Sequence, residues 1–219
     1  NSIQNGFKFI EIDLLSTQDD VIIGSHDWKS FKSLCKNFIN TSVEILYEDF
    51  LECNSNLDLK LIDEFGLKKI MDSNKNSDIY FITDQIQDFK LLAKNFKDYE
   101  TKMIVEAHNI INYLYAKIYF PFVSLTFNDG KRYEYFTRLF NVNFIVIKSS
   151  LIDKYKNFLS NLINNNKIVM AHTTNEKKFI ENNLDKYVTI FYTDFWDFNK
   201  KICKAKIIDY SNNSPCHTY

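Results

Sequence analysis

Over residues 79–194 the sequence repeats one pattern: a short apolar run, then a segment whose apolar residues recur near every 3.6 positions, then another run. The runs are IYFITD (79–84), KMIVEAH (102–108), FVSLTF (122–127), NFIVIK (143–148), KIVMAH (167–172) and VTIFYTD (188–194). Between them lie helical-period segments carried by Ile86, Phe89, Leu92, Ala93 and Phe96; by Ile110, Ile111, Leu114, Tyr115 and Ile118; by Tyr133, Phe136, Leu139 and Phe140; by Leu151, Tyr155, Phe158, Leu159 and Leu162; and by Phe179, Ile180 and Leu184. Apolar strands joined by helical crossovers make a parallel sheet covered by helices, with right-handed connections. Residues 7–14 add a seventh strand, and 21–23 form a short arm returning from it. A (β/α)8 TIM barrel needs eight strands and about 250 residues. The expected fold class is therefore α/β, a (β/α)8 TIM barrel whose first strand is missing from the N-terminus of this sequence. Gly6 has the place of the residue that ends a helix over residues 1–5. An open doubly wound sheet is the alternative, but no Gly-rich phosphate turn follows any strand and the chain has four glycines in all.

A chain of 219 residues, 45% hydrophobic and 16% aromatic, can bury a full core, and one barrel domain over 1–219 is expected, with 197–219 as a C-terminal helix or tail. The net charge of −1, with Lys and Arg spread along the chain, favours neither nucleic acid nor an anionic membrane surface. No stretch approaches the ~18–20 apolar residues of a spanning helix, so no stable membrane insertion is expected. The first residues carry no signal-peptide pattern. Cys35, Cys53, Cys203 and Cys216 show no metal spacing, and a chain of this size needs no disulfides, so a reducing cytoplasm is the expected setting. Trp28, Phe31, Leu34, Cys35 and Phe38 predict one further helix, and Leu59, Ile62, Phe65 and Ile70 another reaching Asp72. Thr173-Thr-Asn-Glu176 predicts a capping box at the start of the last helix.

Functional groups of such a barrel gather at the C-terminal ends of its strands. Those ends carry Glu11 and Asp13, then Asp84, Glu106 and His108, Thr126 and Asn128, Lys148, His172, and Thr193 and Asp194. Helix caps account for Thr173 and Asn109; they do not account for Lys148. The densest stretch is residues 9–28, FIEIDLLSTQDDVIIGSHDW. Alternation along a strand puts Glu11 and Asp13 on one face, with Cα atoms roughly 6–7 Å apart, where two acids can grip one cation. The TQDD turn, with Asp where Gly is usual, sends the chain back and brings His26 toward the pair. A divalent metal beside an imidazole is a setting for phosphoryl chemistry. The plainer alternative, a hairpin with both acids on a solvent face, gives a buried strand no reason to carry two charges.

The same stretch resembles the signature of the glycerophosphodiester phosphodiesterases, TIM-barrel phosphodiesterases like phosphatidylinositol phospholipase C. In that signature a Glu-x-Asp strand, a Thr-x-Asp-Gly turn and a His-Asp follow at this spacing. HTTN at 172–175 is similar to the family's His-Thr-x-Asn after its seventh strand, and YTDFW at 192–196 to the Tyr-Thr-Asp closing its eighth. The resemblance thus spans Gly6 to Trp196. It implies that Asp84 is the third metal carboxylate, where the family has Glu-x-Lys or Asp-x-Lys. Ile86 stands in the lysine's place, and Lys148 is the candidate to supply that charge from another strand. The implied activity is hydrolysis of a small-molecule phosphodiester to sn-glycerol 3-phosphate and an alcohol. Ca²⁺ or Mg²⁺ would sit on Glu11, Asp13 and Asp84, His26 would act as acid or base, and Lys148, Glu106 and His172 would lie at the substrate, with His172 orienting its loop. The family's first-strand histidine, the partner of His26, has no counterpart here. A piece of a longer protein is the expected explanation, because an absent barrel strand exposes two sheet edges, a heavy cost against a net stability of about 5–15 kcal/mol. Alternatives are a phospholipase D-like lyase and a non-catalytic phosphodiester-binding barrel in surface-polysaccharide assembly.

Overall fold

The structure, a computed structural model, describes residues 2–4, 6–35, 44–58, 60–194, 196, 197, 202 and 203. These form two compact units: Phe9–Glu106 with Leu114–Phe122, and Asn1–Lys8 with Ala107–Tyr113 and the described residues from Val123 on.

In the first unit the strand expected over 7–14 is β1 (Phe9–Ser16). It runs parallel to β3 (Tyr80–Gln85), with Phe9 opposite Tyr80 and Asp13 opposite Asp84. β3 runs parallel to β4 (Met103–Ala107), all of whose residues are buried. β2 (Ile22–Gly24) returns antiparallel along β1, giving the order β2-β1-β3-β4. The reversal works as the sequence predicts, with Asp20 at φ 65° and its N–H bonded to the Thr17 carbonyl at 3.1 Å; Asp tolerates this left-handed conformation through its short polar side chain. α4 (Phe89–Asn95) crosses from β3 to β4, capped by Asp88, whose carboxylate accepts the Leu91 N–H at 2.9 Å.

Between β2 and β3 the chain makes an excursion of three helices: α1 (Trp28–Leu34), α2 (Tyr47–Ser55) and α3 (Glu64–Ser73). Phe38, expected in the first of them, lies outside the described residues. The excursion has its own small core, in which Ile23, Phe31 and Phe50 are fully buried and the two phenyl rings stack 5.9 Å apart. Cys35 and Cys53, 18 residues apart with Cα atoms 5.6 Å apart, form a disulfide across it. This corrects the expectation drawn from chain size. What matters is the size of the local core, and a cluster this small buries too little apolar surface to hold itself together as well as a full domain does. Disulfides persist in oxidising surroundings, so the cysteines no longer argue for a reducing setting. The excursion rejoins the sheet where the Gly24 N–H bonds the Ile62 carbonyl at 2.7 Å. A Cβ on Gly24 would lie 2.6 Å from Ile62 Cγ2, so the close approach requires glycine here. α3 starts at its Asp63 cap, which accepts the Gly66 N–H at 2.7 Å. That start sets the helical phase, burying Leu67 and Met71 and leaving Phe65 and Ile70 exposed, contrary to the predicted face.

In the second unit β5 (Val123–Phe127), β6 (Phe144–Lys148), β7 (Ile168–His172) and β8 (Ile190–Phe191) are parallel neighbours in that order. Ser124 stands opposite Phe144, Lys148 opposite His172 and Met170 opposite Ile190. The helices are α6 (Lys131–Leu139), α7 (Ile152–Asn164) and α8 (Lys177–Asn183). α7 buries Tyr155, Phe158, Leu159 and Leu162, the predicted face, and the Phe127 ring lies 4.9 Å from Tyr155 and 5.4 Å from Phe158. α8 lacks the predicted capping box: Glu176 is its N-cap and makes no side-chain cap bond. The loop is held instead by Asn175, whose amide donates to Asp194 Oδ2 at 3.1 Å and whose Oδ1 accepts the Asp194 N–H at 2.9 Å. Gly6, at φ 88°, donates to the Ile3 carbonyl while Phe7 donates to that of Ser2, the paired bonds that close a helix on a left-handed glycine. Near the C-terminus Trp196–Asp197 pairs antiparallel with Ile202–Cys203; the rest of the helix or tail predicted for 197–219 lies outside the described residues.

α5 (Ile110–Ala116) follows β4. The sequence predicts Ile110, Ile111, Leu114, Tyr115 and Ile118 as its inward face, yet Tyr113, Ala116 and Phe120 are buried and all of the predicted set but the half-buried Ile110 are exposed. Both sets have helical spacing and both are apolar, so periodicity cannot choose between them.

Candidate metal and acid-base site

Strand alternation and register bring three carboxylates together. Glu11 and Asp13 share a face of β1, and Asp13 is paired in register with Asp84 at the end of β3. One carboxylate oxygen from each of Glu11, Asp13 and Asp84 lies within 4.8 Å of the other two. Oxygens on opposite sides of a Ca²⁺ are about 4.6–5.2 Å apart and those around Mg²⁺ about 4 Å, so an all-oxygen trio at this spacing suits one hard divalent cation. Asp84 is held by a residue that sequence reasoning missed. Gln85, at φ 69°, donates its N–H to Asp84 Oδ1 at 2.6 Å and its side-chain amide to Oδ2 at 3.1 Å. Nothing in the sequence marks a glutamine after a strand-end aspartate for this. Glu106 is buried on β4, where its carbonyl accepts the Gln87 side-chain amide at 3.1 Å.

The cluster raises its own acids. Glu11 is pushed up to about 8, first by burial and then by the negative charges of Asp13, Asp84 and Glu106. Glu11 as a whole remains exposed, so a cation can reach it from solvent. Asp13 is also raised, first by burial, with His26 pulling it down and Asp84 pushing it up. In the metal-free chain the folded state therefore keeps a proton on Glu11 that the unfolded state has lost. Stability is expected to fall as pH rises from the ordinary carboxylate range toward 8, because the folded state binds more protons over that window. Cation binding must displace that proton, so affinity for Mg²⁺ or Ca²⁺ should rise with pH up to about 8, with proton release on binding. Thermal melts with and without ion, and calorimetry in buffers of different protonation enthalpy, test both; a metal-free melting temperature that climbs between pH 5 and 8 contradicts this reading.

His26 enters from the turn after β2, where the Ser25 N–H bonds the Asp13 carbonyl at 3.0 Å. Its Nδ1 lies 2.7 Å from Asp27 Oδ2, while Asp27 Oδ1 accepts the Ser30 N–H at 2.6 Å as the N-cap of α1. The Ser30 N–H, and after it the His26 contact, hold Asp27 down to about 2. Asp27 in turn raises His26, against a smaller opposing effect of burial, with Asp13 adding to the rise. An Nδ1–H donated to Asp27 leaves Nε2 as the nitrogen for proton transfer. Glu11, Asp13, Asp84, Glu106 and His26 thus all fall in one unit. Lys148 and His172 belong to the other, where Lys148 is exposed and the Ser149 hydroxyl donates to the His172 carbonyl at 3.0 Å, tying the end of β7 to the turn after β6.

No protein-family profile matches the sequence, and no curated protein matches it either. Solved structures do. A glycerophosphodiester phosphodiesterase from Thermotoga maritima superposes with a TM-score of 0.71 at 11% identity, over 91% of this chain and 85% of its own. One from Parabacteroides distasonis gives 0.68 at 15% identity, over 90% and 84%. A phosphodiesterase from Oleispira antarctica, in complex with the product sn-glycerol-3-phosphate, gives 0.65 at 13% identity, over 90% and 84%. At such identities the likeness is one of fold, and it bears out the TIM-barrel class expected from the alternation of strands and helices. The chain has the fold of the glycerophosphodiester phosphodiesterases.

Proposed function

We propose that the chain is a metal-dependent phosphodiesterase that hydrolyses glycerophosphodiesters to sn-glycerol 3-phosphate and an alcohol. The observation that carries this reading is the trio Glu11, Asp13 and Asp84, with carboxylate oxygens within 4.8 Å, in a fold shared with enzymes of that name. Ca²⁺ or Mg²⁺, when bound there, supplies positive charge to the non-bridging phosphoryl oxygens. The chain's own residues do the rest. Gln85 fixes the orientation of Asp84. His26 Nε2 gives a proton to the departing ester oxygen or takes one from the attacking water, and Asp27 stays ionised to support the imidazolium. Glu106 on β4 is the proposed substrate contact of this unit; in the other unit Lys148 is proposed as a phosphate-binding charge and His172 as the residue that orders its loop. The sn-glycerol-3-phosphate held by the Oleispira antarctica phosphodiesterase is the product assigned to this chain. No helix among the described residues is long and apolar enough to cross a membrane.

His26→Ala separates proton transfer from metal binding. The variant should bind Mg²⁺ or Ca²⁺ as the wild type does and hydrolyse glycerophosphocholine about 10²–10⁴-fold more slowly. Equal turnover by both proteins would remove His26 from the mechanism.

A further inference from the structure

Glu64, the first residue of α3, is buried at 7% exposure and takes no part in the acid-base site described above. A carboxylate is costly to bury unless its oxygens are paired, and both are. Oε2 accepts the Ile22 N–H at 3.0 Å, and Oε1 lies 3.3 Å from Lys68 Nζ, one turn along the helix. An acid in the first turn of a helix is favoured just as well when it faces solvent, so the helix gives no reason for this one to turn inward. The register of β2 does. Along the outer edge of β2 the Gly24 N–H bonds the Ile62 carbonyl at 2.7 Å, and Ile23 is paired antiparallel with Asp63. The same register puts Ile22 opposite Glu64. Alternate residues of a strand present their N–H groups to the same edge, so the Ile22 N–H points where that of Gly24 does. At Glu64, however, α3 has begun, and a helical carbonyl runs along the helix axis. The side-chain oxygen takes the place of the carbonyl. Ile22 is fully buried, so without Glu64 its N–H would be left unpaired away from water.

We propose that Glu64 is a positioning residue for His26. β2 is only three residues long, its inner edge is paired with Leu14–Ser16 of β1, and His26 follows two residues after its end. By closing the outer edge, Glu64 fixes the arm that carries the imidazole. The proposal rests on the acid-base role given to His26 above, and it makes no claim on the metal trio, which lies on β1 and β3.

Two variants of the full chain separate the bond from the charge. Glu64→Asp keeps a carboxylate at the start of α3 but draws it back by one methylene; Glu64→Gln gives up the charge and keeps an oxygen at the same reach. With glycerophosphocholine as substrate, Glu64→Asp should lower kcat at least about tenfold, with KM and calorimetric Mg²⁺ affinity unchanged, and Glu64→Gln should stay close to the wild type. In a His26→Ala background Glu64→Asp should cost nothing further, because a residue that acts through another has no effect once the other is gone. A merely structural role would slow both backgrounds alike. Amide exchange over residues 22–26 should quicken in Glu64→Asp and keep its wild-type rate in Glu64→Gln. Wild-type kcat in Glu64→Asp, equal losses in the two backgrounds, or a Glu64→Gln as slow as Glu64→Asp overturns the proposal. Should the wild type leave the diester intact, the phosphodiesterase reading fails by itself, and amide exchange then decides whether Glu64 holds the arm: equal rates over 22–26 in all three proteins overturn it.

Discussion

Glu11→Gln should reduce divalent-dependent hydrolysis of a glycerophosphodiester by about 10²–10³-fold and remove most of the affinity for the ion. The substitution keeps the shape of the side chain and deletes one of three charges whose oxygens lie within 4.8 Å. A two-carboxylate remnant holds a hard dication poorly, since such ions need several oxygen ligands. The same change should stabilise the metal-free chain at pH 8. Glu11 is raised to about 8 by burial and by Asp13, Asp84 and Glu106, and a neutral amide feels no such repulsion. Loss of metal and gain of metal-free stability in one variant is a pairing that misfolding cannot imitate. Calorimetric titration, steady-state kinetics and thermal melts on one preparation give all three quantities; unchanged ion affinity would mean that the trio is not the metal site.

Opening the Cys35–Cys53 disulfide is the second large effect. The two residues are 18 apart, and cross-links of that loop length stabilise by about 3 kcal/mol. The loss should be concentrated in α1 and α2, whose shared core is Ile23, Phe31, Ile45 and Phe50. His26 and Asp27 sit at the N-terminus of α1, so turnover should fall when the bond is reduced. Glu11, Asp13 and Asp84 sit on β1 and β3, so ion affinity should hold. Hydrogen exchange with and without reductant localises the change, and Cys35→Ser/Cys53→Ser should reproduce it. Exchange rates in α1 and α2 that ignore the reductant would show that the packed side chains suffice without the bond.

Much of the fold, and the pairing of acids in the candidate site, was legible in the residues because the physics involved is local. Alternation alone puts Glu11 and Asp13 on one face of β1, and the continuous apolar runs around Ile104, Ile145 and Val169 announce buried parallel strands. Asp20 and Gly6 occupy the left-handed conformations expected of them. Features set by tertiary context were not legible. α5 offers two apolar faces and the sequence cannot say which one is buried. Gln85 matters only because the chain turns at φ 69° and folds its amide back on Asp84. The capping box at 173–176 gives way because Asn175 is engaged by Asp194, a partner 19 residues away. The disulfide escaped notice because the need for it belongs to a small side core and not to the whole chain.

The most direct test is phosphorus NMR of glycerophosphocholine incubated with the protein, with Mg²⁺ or Ca²⁺ and with a chelator. The predicted result is a single new resonance from sn-glycerol 3-phosphate, growing only with ion present. A cyclic phosphate would replace hydrolysis with lyase chemistry, and an unchanged diester resonance beside calorimetrically demonstrated ion binding would contradict the assignment of this chain as a phosphodiesterase.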